Sequence, residues 1–148
     1  VDLEVRFRWK SWLWADADLC ISRGRITGLP EGSNYIPLAP LFTSSGGITV
    51  KDLNGFDASL RYLFVDDRPA NEDNTVTALG YFIVQAGLQY HLKRFSFSAT
   101  LENLLNTAWN EAQFDTESRL AWESEPVSEI HFTPGNPRNV QCGVSDRF

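Results

Sequence analysis

The sequence predicts an all-β protein: about seven antiparallel strands in a meander, forming a segment of a transmembrane β-barrel larger than itself. Three observations carry that reading. Apolar and polar residues alternate with period two along most of the chain, as a strand with one apolar face requires. The connections between strands are short and long in strict alternation. Aromatic residues cluster near the strand ends on the apolar face, as interfacial girdles do.

The clearest alternation runs from Phe56, where Phe56, Ala58, Leu60, Tyr62 and Phe64 share one face and Asp57, Ser59 and Arg61 the other. From Tyr81 to Tyr90 the apolar face holds Phe82, Val84, Ala86, Leu88 and Tyr90. From Phe95 it holds Phe97, Ala99 and Leu101, against Ser96, Ser98, Thr100 and Glu102. Leu3, Val5, Phe7 and Trp9 alternate with Glu4, Arg6 and Arg8; Leu13, Ala15, Ala17, Leu19 and Ile21 alternate with Trp14, Asp16, Asp18 and Cys20. Phe42, Ile48 and Val50 share a face with Ser44 and Gly46, and Val140, Cys142 and Val144 form the apolar side of the last strand.

Lys10–Trp12, Asp52–Gly55 and His91–Arg94 read as short turns; Thr27–Pro40, Asp66–Gly80 and Thr107–Pro137 read as long connections. All seven prolines fall in the long set, where no ladder hydrogen bond is lost. In a meander, alternate connections lie at the same end, so one end is trimmed and the other elaborate. That is the outer-membrane arrangement. Polar-face charges such as Arg6, Asp16 and Arg61 suit a wet lumen, with Gln85, Gln89, Ser96, Ser98, Thr100 and Glu102 along its wall.

Composition excludes several classes. The net charge is −6, with Glu111, Asp115, Glu117, Glu123, Glu125 and Glu129 against Arg119 and Arg138 in one connection, which argues against nucleic acid. No apolar run approaches the roughly 18–20 residues of a membrane-spanning helix. The chain has no methionine and no leader pattern at its start, so the expectation is a fragment or processed product whose export signal lies upstream. Cys20 and Cys142 fall on opposite faces, which predicts free thiols. His91, in a turn, and His131, in the long connection, belong to no nucleophile or metal motif, so neither an enzyme nor a metal or cofactor site is expected. The oxygen-rich stretch Asp66–Asn74 lacks calcium-loop spacing and reads as a polar loop. Gly46-Gly47 sits within a strand, relieving crowding or allowing a bend. Trp109, Phe114, Trp122 and Phe132 are candidates to stack on a ligand, although packing of the long connection onto itself is the simpler reading.

The stretch from Gly80 to Phe148 resembles the end of TonB-dependent outer-membrane receptors. Asn103-Leu104-Leu105-Asn106 followed by Trp109 looks like the family's penultimate-strand motif, and Pro134-Gly135-Asn136-Pro137-Arg138 like its lead-in to the last strand. Pro37-Leu38-Ala39-Pro40 and Asp67-Arg68-Pro69 also resemble family connections. The resemblance implies that residues 1–148 form the C-terminal part of a barrel of about 22 strands, located in the bacterial outer membrane. Its partners would be the lipid bilayer, an N-terminal plug, the remaining strands, a TonB complex acting through the plug, and a small-molecule ligand. The function implied is energised uptake of a scarce large solute of iron–siderophore, cobalamin or carbohydrate type; a passive porin-like channel or a small β-barrel binding module is the alternative. Val140, Val144 and the terminal Phe148 would serve as the assembly signal. One departure stands out: the third residue from the end, commonly aromatic in the family, is Asp146.

Overall fold

The computed structural model describes residues 1–147, so Phe148 lies outside the described residues. Seven strands form one antiparallel sheet: β1 (Asp2–Lys10), β2 (Leu13–Ile21), β3 (Phe42–Leu53), β4 (Phe56–Val65), β7 (Tyr81–Leu92), β8 (Phe95–Glu102) and β11 (Asn139–Asp146), in that spatial order. Two small ribbons stand apart from it, β5 (Arg68–Pro69) with β6 (Thr77–Ala78), and β9 (Asn110–Ser118) with β10 (Val127–Pro134). No helix occurs among the described residues.

The register puts the predicted apolar residues in continuous rows. Ala15, Ile48, Leu60, Ala86, Leu101 and Val140 lie side by side across six strands. Leu60 is 47 % exposed and Val140 57 % exposed. A row of aliphatic side chains this open has no protein to pack on, which is what a lipid-facing wall looks like. A ten-residue strand such as β4, tilted by about 40°, rises roughly 25 Å, the height of an outer-membrane apolar band.

Aromatic rings close the band at both ends. At the tight-turn end Phe56 stacks on Tyr90, centroids 4.3 Å apart; at the loop end Phe42 meets Phe64 and Tyr62 meets Phe82, each pair at 5.8 Å. The alternation breaks at two tight turns, between Val50 and Leu53 on β3 and at Trp9 on β1. Trp9 sits in a register break between Arg8 and Lys10, so Lys10 rather than Trp9 stands opposite Leu13.

The tight turns are two residues each. Asn54 and Gly55 both have positive φ (54° and 84°), the pairing that a hairpin turn twisted with its strands demands. His91 accordingly belongs to the end of β7, not to a turn. Gly46 and Gly47 permit close strand approach: a Cβ on Gly46 would lie 2.5 Å from the Asp16 carbonyl oxygen, and one on Gly47 would run into the Leu60 carbonyl.

The long connection Thr107–Pro137 departs from expectation, because most of it is the β9–β10 hairpin. Its strands read as loop because a ribbon standing in water needs no apolar face. The acids are staggered: Asp115 stands opposite Ile130, Glu117 opposite Ser128 and Glu129 opposite Thr116, which avoids directly facing like charges. Pro69 and Pro134 lie in these ribbons, so the prolines do avoid the main sheet.

Candidate functional site

The elaborate end of the sheet carries the structures that a ligand could meet. The β9–β10 hairpin is fastened at its base by the Asn103–Asn106 and Pro134–Arg138 segments. Asn103 is 4 % exposed and left-handed (φ 48°). Its Nδ2 donates to the carbonyls of Thr107 (2.9 Å) and Asn136 (3.0 Å), and its Oδ1 accepts from the Thr107 N–H at 2.9 Å. Asn106 Oδ1 accepts the Arg138 N–H at 3.2 Å. Asparagine fits because it tolerates the left-handed region and satisfies backbone groups on both sides of the junction.

Trp109 completes this clasp. Its Nε1 donates to the Asn136 carbonyl (3.1 Å), its ring lies 4.8 Å from that of Tyr81, and its face covers Gly135, where any side chain would collide with the indole. Leu104 donates its N–H to the Val84 carbonyl (2.7 Å), holding the motif onto β7, while Leu105 is exposed.

Farther out, the hairpin docks by polar contacts that the sequence reading missed. Gln113, 2 % exposed, pairs with the backbone of Leu79: Oε1 accepts its N–H at 3.0 Å and Nε2 donates to its carbonyl at 2.8 Å. Asn71 Nδ2 donates to Asp115 Oδ2 (3.1 Å), and Ser128 Oγ donates to Asp115 Oδ1 (2.7 Å). The only sequence trace of Gln113 is an uncharged residue in an acidic run.

The oxygen-rich stretch is consumed locally. Asp67 Oδ1 accepts the Gly80 N–H (2.6 Å) and Asn71 Oδ1 accepts the Thr75 N–H (3.1 Å). Asp73 Oδ1 accepts from Thr75 Oγ1 (2.8 Å) and the Thr75 N–H (3.3 Å), which together hold its carboxyl below its usual pKa.

Of the candidate stacking residues, only Trp109 packs into the fold. Phe114, Phe132 and Trp122 are 53 %, 59 % and 81 % exposed, so the expected self-packing does not extend to them. A second feature, unforeseen, is a cleft of about 410 Å³ between the β2–β3 connection and Asp67–Pro69, bordered by Arg23, Arg25 and Tyr35. The Arg25 guanidinium lies 3.7 Å over the Tyr35 ring.

The trimmed end is different in kind. The polar face there holds a hollow of about 390 Å³ bordered by Lys51, Asp57, Gln89, Ser98 and Thr100. His91 bridges two turns: its Nε2 lies 3.1 Å from Asp57 Oδ2, its Nδ1 lies 3.0 Å from Ser96 Oγ, and its backbone N–H donates to the Gly55 carbonyl. Asp57 also accepts the Asp52 N–H. These bonds tie neighbouring hairpins together. His131, by contrast, is an exposed hairpin residue within 3.1 Å of Ser118 Oγ. Cys20 and Cys142 are free thiols on opposite faces, as predicted.

Val140 and Val144 point outward on β11 beside Leu101 and Phe97. Asp146 faces the same way beside Phe95, and its Oδ1 lies 3.2 Å from Arg94 Nε. Asp146 therefore stands beside a basic side chain on the outward face.

An outward apolar band, two aromatic girdles, tight turns at one end and folded connections at the other define the wall of a transmembrane β-barrel. Solved structures bear this out. The chain is similar to the ferric yersiniabactin uptake receptor FyuA from Yersinia pestis (TM-score 0.70, 17 % identity), over 97 % of this chain and 22 % of that one. It is similar to the siderophore receptor PiuA from Acinetobacter baumannii (0.72, 13 %), over 97 % and 20 %, and to the copper transporter OprC (0.70, 15 %), over 97 % and 23 %. No protein-family model and no curated protein matches the sequence. At such identities the likeness is one of fold, and at that level the resemblance to TonB-dependent receptor barrels holds. The chain spans about a fifth of the length of these structures.

Proposed function

We propose that this chain is the C-terminal part of the barrel of an outer-membrane receptor that takes up a scarce solute by an energised route. The observation that carries the reading is the superposition of 97 % of the chain on receptor barrels at TM-scores of 0.70 to 0.72. The clasp built by Asn103, Asn106, Trp109 and Gly135 adds support, because the residues that carry the resemblance have a definite structural task. Both edge strands, β1 and β11, lack a partner on one side among the described residues. Unsatisfied edge groups in lipid cost several kcal/mol each, so the remaining strands of a longer protein would close the wall.

In this reading the polar row from Gln85 to Glu102 meets a plug that a TonB complex moves, and the folded connections hold the ligand. Phe114, Trp122 and Phe132 offer aromatic faces, and Arg23 and Arg25 offer positive charge. Metal-bearing solutes are the class favoured by the neighbours, one of which is named for ferric yersiniabactin, one for a siderophore and one for copper.

The test is uptake by cells making the full-length protein that contains this chain. Import should stop when the proton-motive force is collapsed, while binding to whole cells survives. Entry at full rate in de-energised cells, saturating only at high concentration, would establish a passive channel instead.

A further inference from the structure

The lysines of the chain are sorted by end. All three lie at the tight-turn end, one in or beside each turn: Lys10 at the end of β1, Lys51 near the end of β3, Lys93 between β7 and β8. Arg8, Arg94 and Arg147 lie at the same end. The acids there are Asp52, Asp57 and Asp146, and two of them are engaged. Asp57 accepts the Asp52 N–H and faces His91; Asp146 faces Arg94. At the opposite end the acids prevail, in the β5–β6 and β9–β10 ribbons.

Two of the bases stand on the outward side where the apolar band stops. The register break at Trp9 turns Lys10 toward Leu13, and Lys10 Nζ lies 5.4 Å from the Trp12 ring centroid. Arg94 follows the same plan, its Cζ 5.1 Å from the centroid of Phe95. In both, the charged head itself lies over an aromatic ring at the rim of the apolar band, the level at which bases and aromatic rings meet a bilayer surface. Arg94 Nε lies 3.2 Å from Asp146 Oδ1 on the same outward side.

The geometry points to a headgroup-binding rim: the tight-turn end, through Lys10, Lys93 and Arg94, binds the anionic phospholipids of the leaflet it faces. The occupant is a bilayer lipid with a phosphate and a net negative charge, because the rim couples a cationic ring to an apolar band that requires acyl chains. The inference rests on the sheet spanning a bilayer, but not on any ligand or energy source.

The full-length protein is placed in nanodiscs of phosphatidylethanolamine with or without phosphatidylglycerol, and retained lipids are counted by native mass spectrometry. Phosphatidylglycerol should be retained in preference. That preference should fall about fivefold for each lysine neutralised in K10Q and K93Q at low salt, and should fall with rising salt. Arg23→Gln with Arg25→Gln, at the other end, should leave it unchanged. Heat-modifiability on gels verifies that each variant is folded, and the single variants serve where the double one is not. Equal retention of the two lipids by the unmodified protein, or a preference indifferent to the two lysines, overturns the proposal. Neither result bears on import, which is read separately from ligand uptake.

Discussion

Asp16 on β2 and Arg61 on β4 join across an intervening strand, in a paired contact of 3.0 and 2.7 Å. They reach each other because the residue between them on β3 is Gly47. The absence of a side chain there opens a path over the sheet and lets the Leu60 carbonyl approach. Gly47→Val should therefore destabilise the barrel by several kcal/mol through overpacking against backbone. Arg61→Gln, which removes only a half-exposed ion pair, should cost less than about 1 kcal/mol. Urea unfolding of the reconstituted full-length protein separates the two, and equal costs would mean that the glycine is incidental.

Gln113→Ala should loosen the β9–β10 hairpin while sparing the wall. The change leaves the Leu79 N–H and carbonyl without their partner, a cost of about 1–3 kcal/mol. Hydrogen exchange should rise in Asn110–Pro134 and stay constant in β7 and β8. Gln113→Glu, which keeps an acceptor but loses the donor to the Leu79 carbonyl, should be nearly as harmful.

Asn103→Ala should lower thermal stability by roughly 3 kcal/mol, since three buried hydrogen bonds are lost at a left-handed position. Asn103→Gly should recover only the part owed to backbone conformation. A difference of zero between these two variants would show that the left-handed backbone carries no cost.

Arg94→Gln should reduce the amount of assembled protein in the outer membrane, because it strands Asp146 beside Phe95 on the outward face. Adding Asp146→Tyr should restore assembly by removing the charge and supplying a lipid-facing ring. If the double variant assembles no better than Arg94→Gln, the pair is not what keeps Asp146 tolerable there.

Asp73 gives the outer ribbon a pH response of known sign. Its carboxyl titrates below the ordinary range because Thr75 donates to the charged form. A group with a lowered folded pKa contributes its stability above the unfolded value, about 4, and loses it as pH falls through the folded one. Amide exchange at Thr75 should stay slow through pH 4 and accelerate below it, and Thr75→Val should move that onset to higher pH.

The wall was legible because lipid enforces period two on each strand: the β4–β7 register pairs Phe56 with Tyr90 and Phe64 with Phe82, the residues the alternation had put on one face. The hairpin was not legible. Asn-Glu-Ala-Gln-Phe-Asp-Thr-Glu-Ser carries no apolar side, because water covers both faces of the ribbon except where Gln113 meets Leu79. That contact depends on a backbone remote in sequence, which no local pattern encodes. The importance of Asn103 and Trp109 was visible through resemblance alone, and the hydrogen bonds at the hairpin base supply its physical reason. Packing of the long connection onto itself does not reach Phe114, Trp122 and Phe132, which stand exposed because a two-stranded ribbon is too thin to bury them.

The clasp at the foot of the hairpin passes the chain from β8 to β11, its neighbour in the sheet, whatever lies in between. Trp109 and Gly135 touch, and the Gly135 N–H donates to the Trp109 carbonyl at 2.8 Å. Everything from Asn110 to Pro134 is thus a cassette mounted on a closed socket. Such a segment can be lengthened, shortened or grafted from a related barrel without re-registering a single wall strand, so its sequence can diverge quickly while the membrane-spanning scaffold stays fixed.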